Sequence, residues 1–118
     1  MDKMNQAEFD KYIAQLRSDD SMTYEDGFHS LDTRVDEVLV QLIELEEKET
    51  EEDFKSKLVE LIGCSIQPEA IELLKKRLSS PFYEVRIWAY SSLCHSESKE
   101  GNQIAEEYKV KNPDEEFL

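Results

Sequence analysis

The segment from Gly63 to Leu93 limits how this chain can fold more than any other, because it predicts two short helices that fold back on each other. The first helix has apolar residues at the three- and four-residue spacing of one helix face: Ile71, Leu74 and Leu78. On the second helix, one stripe consists of apolar and small residues: Val85, Trp88, Ala89, Ser92 and Leu93. Each helix therefore has one side to bury.

The connection between these helices is short. Pro68 suits the first position of a helix, and Ser80 with Pro81 predicts the N-cap and first turn of the next one. Because only a few residues separate the two helices, we expect them to run antiparallel.

Within this segment, residues 68–93 resemble a HEAT repeat of the short bacterial type. The resemblance is carried by Pro-Glu-Ala at the start of the first helix and by four residues of the second: Val85, Arg86, Ala89 and Leu93. In HEAT proteins this arginine commonly bridges to an acidic side chain of a neighbouring repeat, so the resemblance implies structural roles for Arg86 and for Trp88 beside it. The family's usual aspartates before the second helix are replaced here by Ser79, Ser80 and Pro81.

The apolar pattern occurs a second time, about 30 residues earlier. Three pairs of apolar residues lie 31 positions apart: Phe54 and Val85, Leu58 and Ala89, Ile62 and Leu93. A looser correspondence relates Val38, Leu42 and Leu45 to Ile71, Leu74 and Leu78. One helical hairpin per repeat of this length is typical of an α-solenoid, whose units need neighbours or caps. We therefore predict a single all-α domain, a HEAT-like α-solenoid of about six helices.

Helix-start signals divide this domain. Asn5 with Glu8 and Thr50 with Asp53 resemble capping boxes, and Asp32-Thr33 suits the N-cap of a helix that runs to about Lys48. The predicted parts are an N-terminal cap (1–31), a first hairpin (32–62), a second hairpin (63–94), a C-terminal capping helix (99–111) and a loose acidic tail (112–118).

Several functional classes lack their sequence signatures. No apolar run approaches the length of a membrane span, and residues 1–11 do not resemble a secretory signal, so we expect a cytoplasmic protein without membrane contact. Cys64 and Cys94 are far apart and predict buried, reduced thiols. Adjacent Cys94 and His95 point about 100° apart on a helix, and His29 is distant, so we expect neither a metal site nor a cofactor.

The charge balance points to a basic partner. The net charge is −14, and residues 1–60 hold 18 acidic and 7 basic side chains, whereas residues 61–118 hold 10 and 7. Nucleic-acid binding requires a stripe of Lys and Arg, and the only basic run is the short one from Lys75 to Arg77. We therefore expect no nucleic-acid partner.

Two groups of residues are candidates for binding a basic protein. The first is the acidic run Glu46, Glu47, Glu49, Glu51, Glu52 and Asp53. The alternative interpretation of this run is a solvated turn between two helices. The second is a further stripe on the helix that contains Tyr83 and Tyr90. The alternative interpretation is that this stripe packs on the next helix of the fold. Exposed tyrosines beside acidic side chains are typical of protein interfaces.

The sequence predicts no enzyme, since it contains no phosphate-binding loop, nucleophile elbow, metal-ligand spacing or catalytic triad. HEAT-like arrays resemble binding scaffolds, and we expect a monomeric protein-binding module. In its small size, its predicted HEAT-like fold and its acidic charge, the chain is similar to the immunity proteins that neutralise bacterial nuclease toxins by direct binding. The alternatives are an adaptor with several weak partners and an enzyme with an unrecognised acid-base pair.

Overall fold

The computed structural model of the protein describes residues 3–118, which form α-helices and one 3₁₀ turn, without a strand in that range. The helices are α1 (Gln6–Leu16), α2 (Ser21–Asp32), α3 (Leu39–Lys48), α4 (Glu52–Ile62), α5 (Pro68–Arg77), α6 (Tyr83–Cys94) and α7 (Lys99–Lys111), and the 3₁₀ turn is Val35–Glu37. The all-helical fold class is confirmed, with seven helices in the described range rather than about six. Met1 and Asp2, which begin the predicted N-terminal cap, lie outside the described residues.

The helices pack in sequential pairs, α1 with α2, α3 with α4, and α5 with α6, and α7 packs on α6. Alternate helices also contact one another: α2 contacts α4, α4 contacts α6, α3 contacts α5, and α5 contacts α7. The molecule measures 43 × 30 × 24 Å along its principal axes. Every helix from α3 to α6 therefore lies between a partner in its own pair and a helix of another pair.

The core consists of two adjacent apolar clusters. One extends from α1 to α5 around Leu16, Leu31, Leu42, Leu58 and Leu73, and the other joins α4 to α7 around Val59, Leu74, Val85, Leu93 and Ala105. All six residues of the pairs that lie 31 positions apart are buried. The helix faces predicted from the periodicity are confirmed at these positions.

The predicted burial of Trp88 with the stripe on α6 is wrong. Trp88 keeps 37% of its surface exposed, whereas Val85, Ala89 and Leu93 are buried. At about 100° per residue, Trp88 lies roughly 60° from Val85, on the side away from Ala89 and Leu93. The buried stripe of α6 is narrower than the sequence predicts, and Trp88 lies at its edge.

Three predicted helix starts are wrong. α2 continues to Asp32, the 3₁₀ turn follows, and α3 begins only at Leu39, so Asp32 and Thr33 cap no helix start. α4 begins at Glu52 with Glu51 as a cap residue that makes no side-chain hydrogen bond. The Thr50 and Glu51 amides instead donate to Glu49 Oε2 at 3.2 and 3.1 Å.

The third wrong start is that of α6. Ser80 Oγ accepts a hydrogen bond from the Phe82 amide at 3.1 Å, and the helix begins three residues later than Ser80, at Tyr83. Ser80 and Pro81 therefore form a turn before the helix instead of its cap. The starts predicted at Asn5 and Pro68 are confirmed, and α1 has both hydrogen bonds of the capping box.

Polar side chains link residues that lie about one sequence repeat apart. The described hydrogen bonds and ion pairs of this kind join residues 29 to 33 positions apart: Met4 and Glu37, Arg17 and Glu49, Asp36 and Ser65, Glu46 and Arg77, Glu52 and Glu84, Arg86 and Glu115. Each helical pair is thus connected to the next by polar contacts as well as by apolar packing.

Candidate protein-binding surface

Glu46, the first residue of the predicted acidic surface, is instead fully buried. Its carboxylate accepts two hydrogen bonds from Arg77, from Nε to Oε2 and from Nη2 to Oε1, both at 2.6 Å. Lys55 Nζ lies 3.2 Å from Oε2. The hydrogen bonds to Glu46 also raise the pKa of Arg77. Glu46 joins α3, α4 and α5 from the inside and is not available to a partner.

Lys55 extends this buried network to the end of α3. Its Nζ donates to the backbone oxygens of Glu46 at 2.6 Å and Glu49 at 3.3 Å. A cation at the C-terminal end of a helix stabilises the carbonyl groups that have no partner within the helix. The turn between α3 and α4 is therefore held in place by a lysine from α4.

Three further acids of the predicted surface also have structural contacts. Arg17 Nη2 donates to Glu49 Oε1 at 3.1 Å, and the Glu84 amide at the start of α6 donates to Glu52 Oε2 at 3.1 Å. Asp53 pairs with Lys57 at 3.4 Å within α4. Among these six acids, Glu47 and Glu51 are the ones that make no hydrogen bond or ion pair through their carboxylates with the described residues.

The two predicted tyrosines lie in different surroundings. Tyr83 is 41% exposed and precedes Glu84, whose amide contacts Glu52, so it lies beside the start of α4. Tyr90 is partly buried, and its ring lies 6.0 Å from Tyr108 and 5.6 Å from Phe117 between centroids. Tyr83 is accessible at the acidic end of the molecule, whereas Tyr90 is largely covered.

The cover over Tyr90 is the C-terminal segment, which the sequence predicts to be a loose tail. Phe117 packs against Tyr83, Tyr90 and Tyr108, with centroid distances of 5.8, 5.6 and 6.3 Å. Arg86 Nη2 lies 3.0 Å from Glu115 Oε1. Residues 112–118 are thus packed on α6 and α7. Arg86 bridges to an acid, as the HEAT resemblance implies, but that acid belongs to the tail.

A groove between α3 and α5 was not predicted from the sequence. It encloses about 440 Å³, and its floor consists of the apolar residues Leu39, Val40, Ile43 and Leu73. Val40 keeps 65% of its surface exposed. Leu39 and Leu73 are each only 4% exposed and belong to the core, so Val40 and the partly buried Ile43 provide the accessible apolar surface. Exposed apolar surface in a groove marks a candidate site for a ligand or a protein partner.

The rim of this groove is strongly acidic. It contains five acids, Asp36, Glu44, Glu47, Glu69 and Glu72, with Gln67 and a single base, Lys76. Asp36 accepts a hydrogen bond from Ser65 Oγ at 2.7 Å, whereas the four glutamates make no side-chain hydrogen bond or ion pair with the described residues. Glu47 belongs both to this rim and to the acidic run, so the groove is continuous with the predicted surface.

A sequence signal for the groove was present. Asp36, Val40, Glu44 and Glu47 are three or four residues apart, so the residues in α3 share one helix face. An apolar residue among acids on an exposed face is unusual enough to mark a contact site. The α5 side of the groove could not be read in this way, because the pairing of α3 with α5 is a tertiary contact.

The cysteines differ from their predicted burial, since Cys64 and Cys94 are both free and exposed. Although Cys64 is exposed as a residue, desolvation of its thiol by the surrounding atoms, together with the charges of Asp32 and Glu60, raises the pKa of Cys64 to about 11, so the thiol stays protonated at neutral pH. Within residues 3–118, no group of three or more His, Cys, Asp or Glu side chains is arranged to hold a metal ion. None of the described helices has both the length and the apolar composition needed to cross a membrane.

No protein-family model matches the chain, and no curated protein or solved structure is significantly similar to it. The resemblance of residues 68–93 to HEAT repeats therefore stays a prediction. The interpretation of the surface depends on its own geometry and charge.

Proposed function

We propose that the protein is a binding module for a basic protein partner. The observation that carries this proposal is the groove between α3 and α5, where four unpaired glutamates surround exposed apolar surface. Free carboxylates attract a cationic partner over a distance, and burial of the apolar floor stabilises the complex once it has formed. The net charge of −14 extends the same attraction beyond the groove.

The scaffold for this site is, in our proposal, a HEAT-like α-solenoid. Two features support it besides the 31-residue sequence period: alternate helices contact one another along the molecule, and polar contacts join residues 29 to 33 positions apart. In a solenoid each unit contacts mainly its neighbours, which gives an extended surface suited to binding another protein.

The more specific form of the proposal is an immunity protein, a monomer in the cytoplasm that neutralises a bacterial nuclease toxin. A nuclease binds anionic nucleic acid through basic surface, and an acidic protein can occupy that surface. Glu47 lines the groove, and Glu51 precedes Glu52, which accepts a hydrogen bond from the Glu84 amide next to the exposed Tyr83. We propose that these acids accelerate encounter and that Tyr83 and the groove floor slow release.

The test is surface plasmon resonance between the full chain and the product of the neighbouring gene, with nuclease activity measured in parallel. The variant Glu47→Lys/Glu51→Lys should lower the association rate constant by about tenfold at low salt and reduce its salt dependence, because rim charges mainly affect encounter. Asp19→Lys/Glu25→Lys is the matched control, since it changes the net charge equally at exposed positions near the start of α2.

Inhibition of the nuclease by the wild type, with a slower association for the first variant than for the control, supports the proposal. If the wild type binds no basic protein, or if Glu47→Lys/Glu51→Lys associates at the wild-type rate, the proposal is wrong. Weak retention of several unrelated proteins would favour the adaptor instead.

A further inference from the structure

We infer that the groove between α3 and α5 binds a basic amphipathic helix presented by the partner. This inference rests on the proposed function and specifies the shape and chemistry of the segment that is bound. The groove combines an apolar floor with carboxylates on both sides, Glu44 and Glu47 on α3, and Glu69 and Glu72 on α5. An occupant must therefore have an apolar strip with positive charges on either side of it.

The backbone of the groove walls indicates a helix rather than an extended peptide. Both walls are α-helices, whose amide and carbonyl groups are hydrogen-bonded within the helix except at the ends. An extended peptide in the groove would find no free backbone groups to pair with, as it would at the edge of a sheet. A helix satisfies its own backbone and needs only side-chain contacts.

The size of the groove sets the length of the occupant. α3 and α5 have 10 residues each, and a helix rises about 1.5 Å per residue, so the walls are roughly 15 Å long. A helix of about three turns spans this length. Its apolar residues should recur at i, i+3 or i+4, and i+7, so that they meet the accessible part of the floor at Val40 and Ile43.

Charge excludes the other classes of occupant. In a symmetric dimer a second copy of the chain would place its own acidic rim against this one, and with a net charge of −14 per chain the like charges would repel. Nucleic acid and anionic lipid surfaces would be repelled by the same glutamates. The single base on the rim, Lys76, leaves the sign of the groove unchanged.

The test uses a fluorescently labelled 18-residue peptide of Leu and Lys with the leucines at helical spacing, titrated with the full chain and followed by fluorescence anisotropy. One control peptide has the same composition with Leu and Lys alternating, and a second replaces every Lys by Glu. Circular dichroism of the mixture should show a gain of helix for the first peptide only. Amide chemical shifts should change along α3 and α5.

Two variants test the two components of the groove separately, its charge and its apolar floor. Glu44→Lys/Glu72→Lys reverses one exposed carboxylate on each wall, and Val40→Ser removes apolar floor without changing the charge. We expect the first to weaken peptide binding by more than about tenfold, and Val40→Ser by about fivefold, since one buried apolar side chain contributes about 1 kcal/mol or more. Asp19→Lys/Glu25→Lys should change the affinity by less than about twofold, since its charges lie outside the groove.

Equal weakening by the groove and control variants, equal binding of the helical and alternating peptides, or shifts elsewhere on the molecule would overturn the inference. The same variants separate this result from the proposed function. If Glu44→Lys/Glu72→Lys binds the basic protein as tightly as the wild type, the groove assignment is wrong and the function stands. If the wild type binds no basic protein at all, the function itself fails.

Discussion

The two acidic regions of this molecule differ in what their carboxylates do. Around the turn between α3 and α4, Glu46 of α3, Glu49 of the turn and Glu52 of α4 accept hydrogen bonds from other parts of the fold and hold it together. Along the groove, Glu44 and Glu72 have no such partner and remain free to attract a ligand. Glu44 and Glu46, two positions apart in α3, thus have opposite roles, so a count of charges does not show which ones form a binding surface.

Removal of the buried carboxylate should have the largest effect on stability. Glu46→Ala leaves Arg77 and Lys55, whose side chains are only 19% and 12% exposed, without their shared anion. Breaking a buried ion pair by deleting one partner costs about 3–5 kcal/mol. Glu44→Ala, an exposed control in the same helix, should stay within about 0.5 kcal/mol of the wild type. Urea denaturation measures both, and similar values would abolish the distinction between the two regions.

The same distinction between buried and accessible side chains applies to the apolar stripe of α6. Leu93 is fully buried, and Leu93→Ala should lower the free energy of unfolding by about 2–5 kcal/mol. Trp88→Ala should cost only about 1 kcal/mol, because much of the indole already contacts water. A loss for Trp88→Ala as large as that for Leu93→Ala would show that the indole is buried.

Glu37 shows that an acid on the surface can still have a structural role. It accepts hydrogen bonds from Arg34 and from the Met4 amide, and these lower the pKa of Glu37 from 4.5 to about 2. The folded state therefore prefers the charged form, so this stabilisation is complete above about pH 4.5 and is lost as the pH falls towards 2.

The measurement for Glu37 is the urea midpoint between pH 5 and pH 2. The wild type should lose more stability than Glu37→Gln over this range, because the variant has no carboxylate to protonate. The difference should be smaller than the effect of Glu46→Ala. Parallel pH curves for the two proteins would show that the contact with Arg34 does not stabilise the fold.

The smallest effect is expected for the charge reversal of the groove. Glu44→Lys/Glu72→Lys removes no contact within the described residues, and it lowers the net negative charge of the chain. Its free energy of unfolding should stay within about 0.5 kcal/mol of the wild type, with any change towards greater stability. A clear destabilisation in urea would mean that these acids are structural after all.

The sequence was informative where the signal is local and periodic. The recurrence of Phe54, Leu58 and Ile62 as Val85, Ala89 and Leu93 identifies the buried faces of α4 and α6, because burial of one helix side imposes the 3.6-residue period. The prediction failed at Ser80, whose hydroxyl bonds the Phe82 amide within a turn instead of capping a helix. Serine favours both arrangements, and the sequence does not show which one competes better.

The binding surface was harder to predict, because it depends on residues distant in sequence. The sequence around Glu46 predicts one more solvated acid. Its burial follows only from the fold, which brings Arg77, 31 residues later, into hydrogen-bonding distance. The groove exists only because α3 and α5 lie side by side. Phe117 is a single aromatic residue in an acidic tail, and it has no periodic pattern to indicate that it packs on Tyr90.

The small separation along the sequence between residues that form polar contacts has a consequence for synthesis of the protein. The widest-spanning hydrogen bond in the described chain joins Met4 to Glu37, only 33 positions apart. At translation rates of about 5–20 residues per second, a residue waits roughly 2–7 s for its hydrogen-bonding partner to be made. Each helical pair can therefore dock on the previous one as it leaves the ribosome, and apolar faces such as that of α4 are exposed only briefly during synthesis.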